Sequence, residues 1–393
     1  MGNVKRLLFF CPFSYGGLAD YAHAQATALT VAGCDVTMLC QPEFISGHDS
    51  SSYRQVPLLA KLKEHNTSNV TGRLIRKVDN GLLIIKHISQ LAAFIREHNF
   101  QHVLFASYVE YLAPLWAYKL RRLSKAGVRF GAVVHDPVRD FVVGPIWWHR
   151  YSIWSAYSFL SEAFVHEAIE LDTVKEIPRL RTTVIPCGIF KFTEPDCSVT
   201  QMREGLDVPQ DATLLLAFGH IRDGKNLDLV LKALVHFPDV YLVIAGKEQS
   251  SGQRPVSWYQ RLAEELGVQH RCRWICRFIP EQEAANLFGC CDVVLLVYSA
   301  QFRSASGVLN VAANFRKPCL VSSGNGPLKS VVETYRLGTF NAPDSEEAII
   351  DGLSKVLSAK DRFAMDWCGY ERDYSWEKNA MITINTIYSC KSN

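Results

Sequence analysis

Four short segments carry residue types suited to binding or transferring a charged group. The first is Phe13-Ser14-Tyr15-Gly16-Gly17-Leu18-Ala19, directly after the apolar run Val4–Cys11. A glycine pair that opens a helix lets backbone N–H groups approach an anion at the positive helix end. A plain tight turn is the competing reading. The second is Gly219-His220-Ile221-Arg222-Asp223-Gly224-Lys225-Asn226, after the apolar run Thr213–Phe218. Arg222 and Lys225 stand three apart in a glycine-containing loop. An Arg fork and a Lys point charge at that spacing suit a diphosphate. A solvated basic turn is the alternative, and loop position, glycines and charge together favour the clamp. The third runs from Tyr298 through Arg303, Ser304, Ser306, Gly307, Val308 and Asn310, after the run Val293–Val297. Ser304 or Ser306 is placed to cap the following helix, so that the N–H groups of Ser306, Gly307 and Val308 point at a phosphate. The fourth is His135-Asp136 at the exit of Arg129–Val134. His135 is positioned to hold a sugar hydroxyl or a developing charge, or to be a hydrogen-bonded structural residue.

These segments sit on a regular scaffold. Short apolar strands alternate with amphipathic stretches, which implies βαβ units and a parallel sheet. Strands are expected at 4–11, 35–40, 102–106, 129–135 and 182–186, with helices at 18–32, 82–98 and 111–126. The pattern restarts with strands at 213–218, 240–245, 273–277, 293–297 and 319–322, and helices at 226–235, 257–266, 281–288 and 306–315. Residues 43–80 are polar and carry no clear period. A linker is expected at Phe190–Gln210, which contains Pro195, Pro209 and several polar residues. Two Rossmann-like domains follow, 1–190 and 191–374. In such tandem parallel-sheet domains ligands bind at the carboxyl ends of the strands, between the two.

The 393 residues are 48% apolar and 21% charged, as in ordinary globular proteins. The net charge of +3 is too mild to argue for nucleic acid. The twelve cysteines include no C-x-x-C pair, so no zinc knuckle and no metal site is expected. Their scatter suits a reducing cytosol. The N-terminal apolar run is too short for a secretory signal, Arg6 stands where a myristoylation signal wants Ser or Thr, and no run is long enough to span a membrane. A nicotinamide oxidoreductase is excluded by the missing G-x-G-x-x-G and its acidic ribose partner.

In order, these pieces resemble the two-domain GT-B glycosyltransferases, specifically the retaining family-4 type. The similarity is carried by Gly16-Gly17, His135-Asp136, Ile185-Pro186-Cys187-Gly188, Gly219-x-x-Arg222-x-x-Lys225-Asn226, Ile244-Ala245-Gly246-Lys247, Lys317-Pro318 and Tyr374-Ser375-Trp376-Glu377. It implies an α/β fold of two Rossmann-like domains facing each other across a cleft, the first completed by a C-terminal helix at 375–393. It further implies that Gly16 and Gly17 lie near the donor phosphates and acceptor, and His135 by the transferred sugar. Arg222 and Lys225 would bind the leaving diphosphate, helped by backbone at Ser306–Val308, without a metal or other cofactor. The base would rest near Phe278 and Ile279. The family's two glutamates around the phosphate helix are absent here. Aligning on Lys317-Pro318 puts Arg303 and Val311 at their positions, and a one-residue shift puts Phe302 and Asn310 there. Asn310 then stands in for a ribose contact, and Arg303 for a contact to a sugar acid or phosphate.

The expectation is a cytoplasmic glycosyltransferase that uses a UDP- or GDP-linked sugar. A glycan or lipid-linked acceptor and a role in polysaccharide or glycoconjugate synthesis come from the resemblance alone. The rival is a non-catalytic GT-B module that binds a nucleotide-sugar or glycan and supports a partner enzyme. One stretch stands outside this scheme: Pro145–Tyr157, with Trp147, Trp148, Arg150, Tyr151 and Trp154. Its aromatic and basic residues suit a peripheral contact at the inner face of a membrane. The helical spacing of Trp147, Tyr151 and Trp154 equally suits core packing, which is the reading favoured at this stage.

Overall fold

A computed structural model describes residues 4–47, 52–61, 70–135, 137, 142, 144–249, 252–358 and 365–389. Asp136, of the His135-Asp136 segment, lies outside them. The chain forms two compact units, 1–188 with 375–393, and 189–374. The strands are β1 (Lys5–Phe10), β2 (Cys34–Leu39), β3 (Arg54–Val56), β4 (His102–Phe105), β5 (Arg129–Val133), β6 (Glu162–Val165) and β7 (Arg181–Val184) in the first unit. The second unit has β8 (Thr213–Phe218), β9 (Val240–Ala245), β10 (Cys272–Ile275), β11 (Val293–Val297), β12 (Cys319–Ser322) and β13 (Gly338–Asn341). In chain order the helices begin with α1 (Gly17–Val31), α2 (Pro42–Gly47), α3 (Val70–Glu97), α4 (Ala113–Lys125) and α5 (Ile146–Tyr157). They continue with α6 (Val199–Gly205), α7 (Leu227–Ala233), α8 (Val256–Glu265), α9 (Glu281–Cys290) and α10 (Gly307–Asn314). The last are α11 (Pro327–Tyr335), α12 (Glu346–Ser358), α13 (Trp367–Asp373) and α14 (Trp376–Ile387).

Every strand pair is parallel. The strand order is β3-β2-β1-β4-β5-β6-β7 in the first sheet and β10-β9-β8-β11-β12-β13 in the second. In both, the winding direction reverses next to the unit's first strand. The crevice beyond the carboxyl ends of those strands is where such sheets bind ligands. Burial explains the composition: β1, β5, β6, β11 and β12 are inward on both faces, so they read as continuous apolar runs rather than alternating ones.

The expected linker at 190–210 is instead part of the second unit. It contains α6, whose start is fixed by a capping box between Ser198 and Gln201. Arg203 of that helix is buried and donates to the Ala212 carbonyl at 2.8 Å and to Asp292 at 2.7 Å. Lys317, before β12, donates to the carbonyls of Gly289 and Cys291 at the end of α9. The region read as structureless holds α2, β3 and the start of α3, which begins twelve residues before the expected 82.

α14 belongs to the first unit. Buried Asn379 on this helix accepts from Gln25 Nε2 at 2.9 Å and donates to the Tyr21 hydroxyl at 3.0 Å and the Pro186 carbonyl at 2.8 Å. Trp376 lies against Gly188, where any side chain would occupy the indole's space.

Candidate functional site

In the second unit the crevice is built by the loops after β8 and β11. Gly219 leaves β8 with a positive φ of 87°. Its carbonyl is so close to Gly246 that a Cβ there would sit 2.3 Å away, which accounts for the glycine in Ile244-Ala245-Gly246-Lys247. Asp223–Lys225 then form one 3-10 turn leading to α7. Asp223 fixes this turn: it accepts from Arg254 Nε at 2.6 Å and from the Tyr259 hydroxyl at 2.7 Å, and its N–H donates to Gln253. Arg254 also reaches Asp228 and lies over the Trp258 ring at 4.3 Å. Sequence reasoning missed this support, because its partners lie 26 to 36 residues apart.

A pocket opens at this loop, and Gly219, His220, Arg222, Lys225 and Tyr298 are among its lining. The two expected clamp cations therefore meet in one cavity. Lys225 Nζ donates to the Phe218 carbonyl at 2.5 Å. Burial, and then the neighbouring Arg222 charge, pull its ammonium down to about 7. Burial also lowers His220, followed by the charges of Lys225, Arg222 and Lys247. The neighbouring positive charges that add to the effect of burial suit this cavity to an anion.

The β11 loop is tied to the β8 loop at two points. Ser299 N–H donates to the Gly224 carbonyl at 3.0 Å. Asn226 donates to Asp344, which accepts the Ala300 N–H on its other oxygen. Ser306 occupies the N-cap of α10, with no side-chain capping bond. Its hydroxyl lies 3.1 Å from that of Tyr298 instead, which corrects the expected cap. Gly307 is exposed and Val308 half-buried, at a helix start whose first N–H groups have no intrahelical acceptor. Arg303 is exposed and Ser304 half-buried. Asn310 differs from expectation: it is 3% exposed and its Oδ1 accepts from the Tyr370 hydroxyl at 2.7 Å, so it tethers α13 rather than facing a ribose. After β10, Phe278 is 78% exposed while Ile279 is buried against the core.

In the first unit Gly16 has φ 80° and ψ 176° and precedes α1, with no side-chain cap. No atom comes within 4 Å of a Cβ built on Gly16 or Gly17. His135 follows β5, and its Nε2 lies 3.0 Å from the Ala106 carbonyl at the end of β4. That partner is an acceptor, so Nε2 carries the proton and Nδ1 is an acceptor. Burial lowers its pKa to about 4, so it is a neutral hydrogen-bonding group near pH 7 rather than a cation. Its ring packs edge-on against Tyr21 at 4.7 Å and lies tilted beside His166 at 5.4 Å, and Tyr21 also meets Trp376. His166 and Trp376 are neighbours that strand periodicity alone does not reveal.

The outer helices correct one reading. Trp147 and Tyr151 of α5 are exposed, not core. No helix of the described residues is long and apolar enough to cross a membrane. No cluster of three or more metal-ligating side chains exists among the described residues.

Residues 198–373 match the family described as Glycosyl transferases group 1. The D-inositol 3-phosphate glycosyltransferase of Nocardioides sp. is 27% identical over 235 residues, covering 56% of this chain and 51% of its own. That of Mycobacterium leprae is 30% identical over 138 residues, covering 35% of this chain and 31% of its own. The chain thus spans about half or less of the length of these relatives. Sucrose-phosphate synthase from Thermosynechococcus elongatus aligns over 98% of both chains with a TM-score of 0.67 at 15% identity. Anabaena HepE in complex with UDP and glucose aligns over 98% of this chain and 100% of its own, with a TM-score of 0.66 at 13% identity. These likenesses show the GT-B fold.

Proposed function

We propose, on the premise that residues 198–373 are a group 1 glycosyl transferase domain within a GT-B fold, that the chain transfers a sugar from a nucleotide-sugar donor. The observation that carries this reading is the pairing of Arg222 and Lys225 in one pocket, in a turn braced by Asp223 and Arg254. Arg222, charged and held in place before the ligand arrives, and Lys225, recharged as the ligand binds, stabilise the charge of a departing diphosphate. This is the charge that a divalent ion would otherwise supply, so the reading includes metal independence.

Backbone N–H groups at Ser306, Gly307 and Val308 supplement the cations on the phosphates. Exposed Phe278, with Ile279 beneath it, offers an aromatic face to the base. Gly16 and Gly17 leave room for backbone approach to the sugar and acceptor. Neutral His135 accepts a sugar hydroxyl at Nδ1. A UDP- or GDP-linked hexose, retention at the anomeric carbon, and a glycan or lipid-linked acceptor in cell-surface glycoconjugate synthesis complete the proposal. The UDP bound to HepE and the inositol phosphate in the relatives' name support its general form.

A second reading is favoured by one feature. Neither register of the family's glutamate positions, Arg303 with Val311 or Phe302 with Asn310, supplies a Glu, and the Asn310 Oδ1 accepts from Tyr370. A module that binds the nucleotide-sugar without turning it over would tolerate that loss. The test is a thermal-shift panel with UDP, GDP, ADP and their sugar conjugates, with and without magnesium. A ligand that binds only the folded chain raises the melting temperature. A shift with one base, unchanged without magnesium and lost in Arg222→Ala, supports the clamp. Release of free UDP or GDP over time then separates the enzyme from the silent module. No shift with any nucleotide overturns both readings.

A further inference from the structure

Helix α5 carries apolar surface on both sides. Its buried side holds Ile153, Ala156 and Tyr157 beside His149, Ser152 and Ser155, while Trp147 at 65% and Tyr151 at 43% exposure point outward with Arg150. Trp147, Tyr151 and Trp154 are spaced i, i+4, i+7 and form one stripe along the helix. Tyr151 stacks on Trp154 with ring planes 15° apart, and Trp154 in turn receives Arg121 of α4 and Lys175 over its ring. Ile146 extends the stripe at the amino-terminal end of α5, 60% exposed. The inward serine is not idle: Ser152 donates to the Tyr111 carbonyl at 3.0 Å, as does the Trp148 indole at 3.2 Å. The helix is therefore docked in this orientation by specific bonds, and the outward aromatics are a stable property of the fold.

Charge identifies the occupant. The sequences of α4 and α5 contain Lys119, Arg121, Arg122, Lys125 and Arg150 and no Asp or Glu. The two helices pack against each other. Aromatic rings with an apolar body and polar edge settle at the depth of lipid headgroups, and neighbouring cations are drawn to anionic lipid. We propose that the α5 stripe, flanked by the basic residues of α4, is a docking surface for an anionic lipid bilayer. It holds the chain at the interface without inserting a helix. This deepens the proposed use of a lipid-linked acceptor but depends on no step of the transfer chemistry.

The test is co-sedimentation of the full chain with vesicles of phosphatidylcholine alone and of phosphatidylcholine with about 30% phosphatidylglycerol, at low and high salt. The expected result is binding to the anionic vesicles, weakened by salt. Trp147→Ala/Tyr151→Ala should reduce the partition coefficient about tenfold, and Arg150→Glu by a smaller factor. Both variants should keep the wild-type melting curve, since the replaced groups face outward. UDP-induced stabilisation, measured in the same variants, should be unchanged; this readout belongs to the donor pocket, so its failure is separate from failure at the lipid surface. Absence of sedimentation with anionic vesicles overturns the proposal. Equal sedimentation of the double variant overturns the assignment to α5. A concentration-dependent dimer that the double variant abolishes, with no vesicle binding, would show instead that a second copy covers this face.

Discussion

Asn226 Nδ2 donates to one carboxylate oxygen of Asp344 at 2.9 Å, and the other oxygen accepts the Ala300 N–H at 2.9 Å. One side chain thus spans the two loops that form the pocket in the second unit. Both ends of the Asn226–Asp344 bond adopt left-handed backbone, with φ of 48° and 59°. Asn and Asp tolerate that region better than most residues. Asp344→Ala releases both loops at once. A loss of about 1 kcal/mol in stability is expected from the removed bonds. UDP affinity should fall by about five-fold as the loops lose register. Paired melting curves with and without UDP measure both, and an unchanged UDP shift would sink the coupling.

Lys225 is predicted to work against the fold in the absence of a ligand. Its pKa is lowered to about 7, below the ordinary 10.5. Between those values the unfolded chain binds the proton and the folded chain does not, so stability should rise with pH across that window. Below about 7 the cost of holding the charge is fully present. Lys225→Met should raise the melting temperature at pH 6 and abolish the UDP shift. In the wild type, UDP binding recharges the amine, so affinity should decline as pH is raised from 6 to 9. Calorimetry in two buffers of different ionisation enthalpy would detect the proton uptake; a pH-independent affinity contradicts it.

Much of this site was legible from residue type and position. Arg222, Lys225 and Gly219 were identified because a buried apolar strand announces where its loop must be. Three strands escaped notice, among them β13, Gly338-Thr339-Phe340-Asn341, at the far edge of its sheet. β3 reads Arg54-Gln55-Val56, a three-residue edge strand with no apolar run. β6 reads Glu162-Ala163-Phe164-Val165 four residues after α5, and the intervening Ser158-Phe159-Leu160-Ser161 has no Gly, Pro, Asn or Asp to mark a break. The stripe on α5 was found but its direction was not, since a 3.6-residue period marks a face without saying which side is packed. Asn310 shows the same limit: its chemistry suited a ribose, and Tyr370, sixty residues away, had already taken its oxygen.

Acid should weaken the first unit through His135. Its folded pKa is lowered to about 4 by burial, against an ordinary 6.5. The folded unit therefore favours the neutral ring, and stability falls as pH drops from 6.5 toward 4. His135→Gln should flatten that part of the melting-temperature profile. Above pH 6.5 the profile of the variant should parallel the wild type. A steeper acid slope in the variant would contradict the assignment.

The two glycines before α1 should behave differently. Gly16 has φ 80° with ψ 176°, a combination open almost solely to glycine. Gly16→Ala should cost about 1–3 kcal/mol through backbone strain, although nothing nearby would clash. Gly17 lies inside the helix with open space around it, and Gly17→Ala should be neutral or stabilising by up to about 1 kcal/mol. Denaturant melts of the pair measure the contrast, and equal effects would refute it.

The bonds that Asn379 makes to Gln25 and Tyr21 bridge 354 and 358 positions of chain. The second unit, by comparison, is one uninterrupted stretch from 189 to 374. During synthesis the earlier half must therefore wait, with Gln25 and Tyr21 unsatisfied, until α14 leaves the ribosome. The later half has all it requires before that moment.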